Sequence, residues 1–158
     1  MNFWIEVTSG MRWERMLKEG IALTAPNRAR YRTFFAKINS GDLVLHYITS
    51  TLTRQKELRS KVVAVSLIAS TPSITEKRIT APCSNTLLLP NPVSLAELRK
   101  LKQKSPFLRK LVDDLHMQRY LTQITQSDFK SILGVDSENM RRFLKSRLGK
   151  WLTHHARQ

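Results

Sequence analysis

Strand-like patterns dominate the first half of the chain. Apolar and polar residues alternate over 3–8, which predicts a strand with one buried face. Apolar residues then recur at helical spacing over 11–19, and Gly20 suits the end of that helix. Runs rich in Val, Ile and Leu predict buried strands further along. The predicted strands cover 3–8, 43–48 and 61–70. A strand over 74–80 is a candidate third member of the sheet that 43–48 and 61–70 form.

Helical patterns dominate the second half. Ser94 and Glu97 stand at the spacing of a capping box, just before an apolar stripe. A strand is expected at 120–124 and a helix at 125–133. One long terminal helix with a basic face is expected within 136–158. Because strands and helices do not alternate regularly, the pattern favours an α+β fold with a small curved sheet or open barrel flanked by helices.

The charge of the chain points to its partner. Of 158 residues, 27 are Lys or Arg and 12 are Asp or Glu, which leaves a formal net charge of +15. Hydrophobic residues make up 41%, enough for one packed domain. Such a surplus of positive charge repels itself unless a polyanion is bound. Nucleic acid is therefore the leading expected partner, and an acidic membrane surface is the second.

Several classes of protein are excluded or disfavoured by the same sequence. Cys83 is the only cysteine, which excludes an internal disulfide and a cysteine-rich zinc site. The apolar runs are far shorter than the roughly 20 residues of a membrane span. The first residues, with a carboxylate at Glu6, lack the features of an export signal. We therefore expect a cytoplasmic protein that needs no metal or cofactor and does not associate with a membrane.

Five features of the sequence occur in a recognisable order. They are Phe3-Trp4-Ile5, a segment of Arg, Asn and aromatic residues over 27–35, a turn at Ile38-Asn39-Ser40-Gly41-Asp42, a strand over 43–49 with His46-Tyr47, and a Val-rich strand over 62–70. This order resembles the EVE domains of the PUA superfamily, which are close relatives of YTH domains. The match covers roughly 2–72, and 120–133 more loosely. The resemblance implies a pseudo-barrel whose pocket accepts one modified base, usually methylated, turned out of DNA or RNA.

The resemblance also implies site residues. YTH domains place a cage tryptophan where this chain has Leu23. The predicted base pocket comprises Trp4, Ser9, Trp13, Leu23, Asn27, Tyr31, His46 and Tyr47. The predicted phosphate-binding residues are Arg28, Arg30, Arg32, Lys37, Arg54, Lys56, Arg59 and Lys61. We assign 1–135 to an EVE/PUA-like nucleic-acid-binding domain and 136–158 to a basic helix packed on it.

Other interpretations of these residues stay open at this stage. Trp4 suits the core position of a strand better than a pocket wall, and Trp13 suits the anchor of its helix as well as it suits the pocket. ASCH domains of the same superfamily include enzymes, so a ribonuclease or hydrolase using Lys37, Glu6 and Tyr47 is the main alternative to a non-enzymatic reader. A third alternative is an RNA- or ribosome-associated protein that binds RNA shape through charge alone.

Overall fold

A computed structural model describes residues 1–114 and 120–155 of the protein as seven strands and seven α-helices. The strands are β1 (Phe3–Thr8), β2 (Ala22–Pro26), β3 (Leu43–Ile48), β4 (Lys61–Ile68), β5 (Ser73–Ile74), β6 (Arg78–Ser94) and β7 (Leu121–Ile124). The helices are α1 (Gly10–Glu19), α2 (Ala29–Phe35), α3 (Leu95–Lys100), α4 (Pro106–Asp114), α5 (Gln126–Leu133), α6 (Ser137–Lys145) and α7 (Arg147–His155). Short 3-10 helices cover Lys56–Leu58 and Leu101–Gln103.

The strands form one curled, mixed sheet flanked by the helices. Its order is β2-β6-β4-β3-β1-β7, and β5 pairs with β6 outside this path. β1 and β3 run parallel, and the other pairs are antiparallel. The long strand β6 pairs with β4 in the central part of the sheet and with β2 at its edge. This one strand therefore connects the two parts. The predicted α+β class, with a curved sheet flanked by helices, is confirmed.

The central position of β1 explains why one sequence prediction was wrong. All six residues of β1 are buried, not only those of one face. β1 lies between β3 and β7, and an apolar cluster covers each face of this part of the sheet. Ile5 belongs to one cluster and Trp4 to the other. Glu6, which the alternation placed toward solvent, is therefore fully buried.

Local signals predicted most of the helix ends. The capping box of Ser94 and Glu97 is present at the start of α3, and Thr125 with Asp128 forms a second one at α5. The predicted strand over 74–80 is instead divided between β5 and the start of β6. Thr75 accounts for the division, because its backbone N–H and its hydroxyl both donate to the carbonyl of Arg78 and close a turn.

The predicted long terminal helix is two helices, with a break at Ser146. The backbone of Ser146 is extended, its hydroxyl donates to the carbonyl of Phe143 (2.6 Å), and it accepts from the N–H of Gly149 (3.3 Å). The two helices approach so closely that a Cβ on Gly149 would lie 2.3 Å from the Phe143 carbonyl oxygen. Residues 156–158 of the predicted helix lie outside the described residues. In the described ranges, no helix has both the length and the hydrophobicity that a membrane crossing requires.

Candidate nucleic-acid interface

An open cleft of about 380 Å³ lies between α1, β2 and the start of β6. Its volume is within the roughly 300–1,000 Å³ range of small-ligand sites. Apolar side chains of Met16, Ala25 and Pro26 form part of its wall. The other lining residues are Arg12, Arg15, Glu19, Gly20, Ala22, Thr24, Lys77 and Arg78. Four cations against one carboxylate make this cleft positively charged.

Arg12 is held in a fixed position at the cleft. Its Nη2 donates to the carbonyl oxygen of Thr24 (2.6 Å), to the Thr24 hydroxyl and to the hydroxyl of Tyr120 (3.0 Å). Its guanidinium carbon lies 5.0 Å from the centre of the Tyr120 ring. Among the described residues, its Nε and Nη1 have no hydrogen-bond partner, although the side chain is only 29% exposed. Donors that are held in place but not satisfied can serve a planar ligand.

A chain of buried polar groups supports Arg12 from below. One carboxyl oxygen of Glu6 lies 3.8 Å from Arg12 Nη2 and accepts from the Tyr120 hydroxyl (3.3 Å). The other lies 2.6 Å from Nδ1 of His46, whose Nε2 lies 2.8 Å from the hydroxyl of Ser66. Glu6, His46 and Ser66 are all fully buried. The carboxyl group of Glu6 therefore links the interior of the sheet to the arginine that faces the cleft.

The phenol of Tyr120 stays protonated in this arrangement. Burial, and then the nearby carboxylate of Glu6, raise the pKa of Tyr120 well above its ordinary value, against the lowering effect of Arg12. Its hydroxyl therefore remains available to donate to Glu6 while it accepts from the backbone N–H of Thr24 (2.8 Å). Tyr120 thus connects β1 with β2 and contacts two residues that line the cleft, Arg12 and Thr24.

Five of the eight predicted base-pocket residues are core residues. Trp4, Trp13 and Tyr47 are 1%, 2% and 3% exposed, and Leu23 and His46 are fully buried. The indole N–H of Trp4 donates to Asp42 (2.9 Å), and the ring of Trp13 packs 5.1 Å from that of His46. None of the five lines the cleft. In this structure they belong to the protein interior, and a cage built from these aromatic rings is not open to a ligand.

The other three predicted pocket residues do not line the cleft either. Ser9 caps α1 by accepting from the N–H of Arg12 (3.3 Å). Asn27 follows β2, and its side-chain N–H donates to the carbonyl of Thr75 (2.8 Å), while its Oδ1 is buried with no partner within the described residues. Tyr31 is half-buried, with its ring 6.2 Å from that of Tyr120 and edge-on to it.

The predicted phosphate-binding residues occupy two separate surfaces. The first, the α2 surface, consists of Arg28, Arg30, Arg32 and Lys37, all exposed. It follows directly on β2, because the N–H of Arg28 donates to the carbonyl of Pro26, which lines the cleft. The second, the β3–β4 loop surface, consists of Arg54, Lys56 and Arg59, which are exposed, and Lys61, which is half-buried. That loop packs on the first turn of α1.

The sequence analysis missed Arg12, Arg15, Thr24, Arg78 and Tyr120. The helix predicted over 11–19 contains both arginines, but its pattern does not show what lies opposite them. The pairing of β2 with β6 puts Arg78 beside Pro26, and no local pattern predicts that pairing. Only a charged residue inside an apolar strand, Glu6, could have indicated a buried polar partner further along the chain.

The residues of the enzymatic alternative are not brought together. In the parallel pairing of β1 and β3, Glu6 is opposite His46, and Val7 is opposite Tyr47. Because successive strand residues point to opposite faces, the side chains of Glu6 and Tyr47 lie on different sides of the sheet. Lys37 lies exposed after α2. Across the described ranges, no three residues of the His, Cys, Asp and Glu types are grouped so as to hold a metal ion.

Comparisons with known proteins establish the fold of this chain. No protein-family model and no curated protein matches the sequence. The human THYN1 protein, solved in complex with DNA containing 5-methylcytosine, is similar with a TM-score of 0.61 at 13% identity, covering 87% of this chain and 98% of that chain. Rpa0253 from Rhodopseudomonas palustris is similar with a TM-score of 0.59 at 13% identity, covering 85% of this chain and 92% of that chain.

A third solved structure adds a domain of a larger protein. The N-terminal domain of Staphylothermus marinus McrB matches with a TM-score of 0.52 at 13% identity, covering 82% of this chain and 92% of that domain. These three structures share the curled mixed sheet and its helices with this chain across more than four-fifths of its length. The protein therefore has a PUA-like fold, which confirms the fold class predicted from the sequence.

Proposed function

We propose that this protein is a non-enzymatic reader that binds DNA or RNA carrying a modified base and takes that base, turned out of its strand, into the cleft beside Arg12. The observation that carries the proposal is the fixed Arg12, with its unsatisfied donors, in a positively charged cleft of about 380 Å³. A solved structure of similar fold, human THYN1, is a complex with DNA containing 5-methylcytosine.

The cleft supplies the interactions that a single base needs. A base has polar edges and flat faces, and proteins bind the faces on aromatic rings or on guanidinium planes. The guanidinium groups of Arg12, Arg15 and Arg78 line the cleft, and Met16 and Ala25 offer apolar contact for a methyl group. A base stacked on an aromatic ring contributes about 1–3 kcal/mol. In this cleft, stacking on arginines together with hydrogen bonds must offset the few kcal/mol that turning a base out of a duplex costs.

Phosphate contacts supply the rest of the affinity. The α2 surface and the β3–β4 loop surface carry seven exposed cations between them: Arg28, Arg30, Arg32, Lys37, Arg54, Lys56 and Arg59. Such contacts position a strand without reading its sequence, and they make binding strongly dependent on salt. We therefore expect weak sequence preference, a steep loss of affinity with salt, and discrimination that comes from the cleft.

A binding panel tests the proposal. Oligonucleotides with 5-methylcytosine, N6-methyladenine or no modification, single- and double-stranded, are titrated at two salt concentrations, and each is recovered afterwards to show that it is unchanged. We expect unequal affinities for strands that differ by one methyl group. Arg12→Lys keeps the charge but removes the planar donors, so it should bring this ratio towards one, whereas Arg109→Lys on α4 should leave it unchanged. Equal affinity of the wild-type protein for all strands would refute the proposal.

The phosphate surfaces have a separate test. Replacing Arg28, Arg30 and Arg32 together by alanine should weaken all strands alike. For duplex DNA it should also reduce the slope of log affinity against log salt by about 0.9 for each phosphate that the variant no longer neutralises. The methyl discrimination should stay, because the cleft is unaltered. A triple variant with the wild-type salt slope would remove the α2 surface from the proposed interface.

A further inference from the structure

The loop between β3 and β4 holds an apolar side chain out into solvent. Leu52 is 64% exposed, and its backbone adopts a left-handed conformation with φ of 53°, which is unfavourable for a leucine. Met11, 46% exposed, lies beside it, since the N–H of Met11 donates to the carbonyl of Leu52 (3.0 Å). Both residues also line one open cavity, and we call this pair of exposed apolar side chains the tip.

This tip is held rigidly by the residue that follows it. Thr53 is 4% exposed, and its hydroxyl accepts from the N–H of Gly10 (3.0 Å) and donates to the carbonyl of Thr49 (2.7 Å). Arg59 Nε donates to the carbonyl of Thr53 (2.8 Å). The loop seats so closely on α1 that a Cβ on Gly10 would lie 2.6 Å from Thr53 side-chain atoms. The buried contacts of Thr53 thus fix Leu52 in an outward position.

The tip lies next to the cleft and among cations. Met11 precedes Arg12, and it lies one helical turn from Arg15 on the same face of α1, where Cβ atoms are about 5–6 Å apart. Both arginines line the cleft. Met11 and Leu52 also line an open cavity of about 400 Å³ together with Arg54 and Arg59. An apolar point surrounded by arginines on both sides is complementary to a base stack between two phosphate backbones.

We propose that Leu52, supported by Met11, is a wedge that enters the base stack of a duplex and fills the space left by the base turned into the Arg12 cleft. This inference rests on the proposed function and adds to it the preferred substrate, a double-stranded nucleic acid. Apolar side chains inserted between base steps unstack and bend duplexes in other proteins. A single strand has no continuous stack to open, so the wedge should contribute to duplex binding alone.

Replacement of Leu52 by asparagine provides the test. Asparagine tolerates the left-handed backbone and has similar size, so Leu52→Asn should fold at least as well as the wild type. The matched control is Leu144→Asn, at a leucine on α6 that is 54% exposed. Affinity is measured for a methylated duplex and for its methylated single strand, and 2-aminopurine placed beside the methylated base reports unstacking by its fluorescence.

We expect Leu52→Asn to weaken duplex binding about tenfold, to abolish the rise in 2-aminopurine fluorescence in the duplex and to leave single-strand binding unchanged, while Leu144→Asn behaves as wild type. Equal weakening of duplex and single strand, or no change in either, would overturn the wedge. Either result leaves the proposed function standing if Arg12→Lys still removes methyl discrimination on single strands. If the wild-type protein discriminates neither on single strands nor on duplexes, the proposed function itself fails.

Discussion

Replacing Glu6 by glutamine tests whether the buried carboxyl group supports the cleft. The carboxyl group accepts from the Tyr120 hydroxyl (3.3 Å), lies 2.6 Å from His46 Nδ1 and faces Arg12 at 3.8 Å. Glutamine has one acceptor oxygen and one amide that donates. It therefore presents a donor either to His46 or to the pair formed by Tyr120 and Arg12, and it removes the negative charge.

The expected loss of stability in Glu6→Gln follows from the burial of the carboxyl group. Glu6 is fully buried, so a donor that loses this acceptor costs about 1–3 kcal/mol. Breaking an ion pair costs about 3–5 kcal/mol where both partners are buried, and the ion-pair partner of Glu6 is Arg12. Because Arg12 is 29% exposed, solvent weakens the contribution of its pair with Glu6 to stability. We therefore expect a loss of about 3 kcal/mol in the free energy of unfolding. For a chain of this size, that corresponds to a fall in Tm of about 6–12 °C.

Urea unfolding followed by circular dichroism measures this loss, and Glu138→Gln provides the control. Glu138 pairs with Arg141 and Arg142 on the exposed surface of α6, so its replacement should leave the unfolding midpoint close to that of the wild type. Glu6→Gln should also reduce methyl discrimination, because it takes away one of the supports of Arg12. An unfolding free energy for Glu6→Gln within about 1 kcal/mol of wild type would refute the reasoning.

Three further predictions concern other parts of the fold. Gly149→Ala should lower the unfolding free energy by about 1–3 kcal/mol in urea titrations, because the added Cβ would meet the Phe143 carbonyl at 2.3 Å. Asp42→Ala should cost about 3 kcal/mol in the same assay, since it deprives the buried Trp4 indole and backbone donors of an acceptor. Burial raises the pKa of Cys83 from 9.0 to about 12, so iodoacetamide at pH 8.5 should alkylate it far more slowly in the folded than in the unfolded protein. Because the folded state binds that proton more tightly, the contribution of Cys83 to stability should decline as the pH rises from 9 towards 12.

Elements with strong local signals could be predicted from the sequence. β3 and β4 are marked by apolar, β-branched runs, and the start of α3 by its capping box. The division of the terminal helix could not be predicted in this way. Ser146 interrupts it without a proline, and the apolar spacing continues from α6 into α7 because both helices pack against the same core.

The candidate site was predictable only in part, because distant segments build it. The exposed cations of α2 and of the β3–β4 loop follow from charge and turn residues alone. The aromatic residues Trp4 and Tyr47 were predicted to line the pocket, but central strands covered on both faces bury them. Arg12 gains its role from Tyr120, which is 108 residues away in the sequence. Interactions at that separation leave no periodic signal in either segment.

The pairing of β1 with both β3 and β7 has a consequence for protein synthesis. The backbone N–H of Val7 donates to the carbonyl of Tyr120 (2.9 Å), and β7 then covers the remaining edge of β1. A nascent chain that has emerged only as far as β6 therefore still exposes an unpaired strand edge, and it lacks the Tyr120 hydroxyl that holds Arg12. The support of Arg12 is thus completed late, and chains terminated prematurely before β7 would lack it even though most of the sequence had been translated.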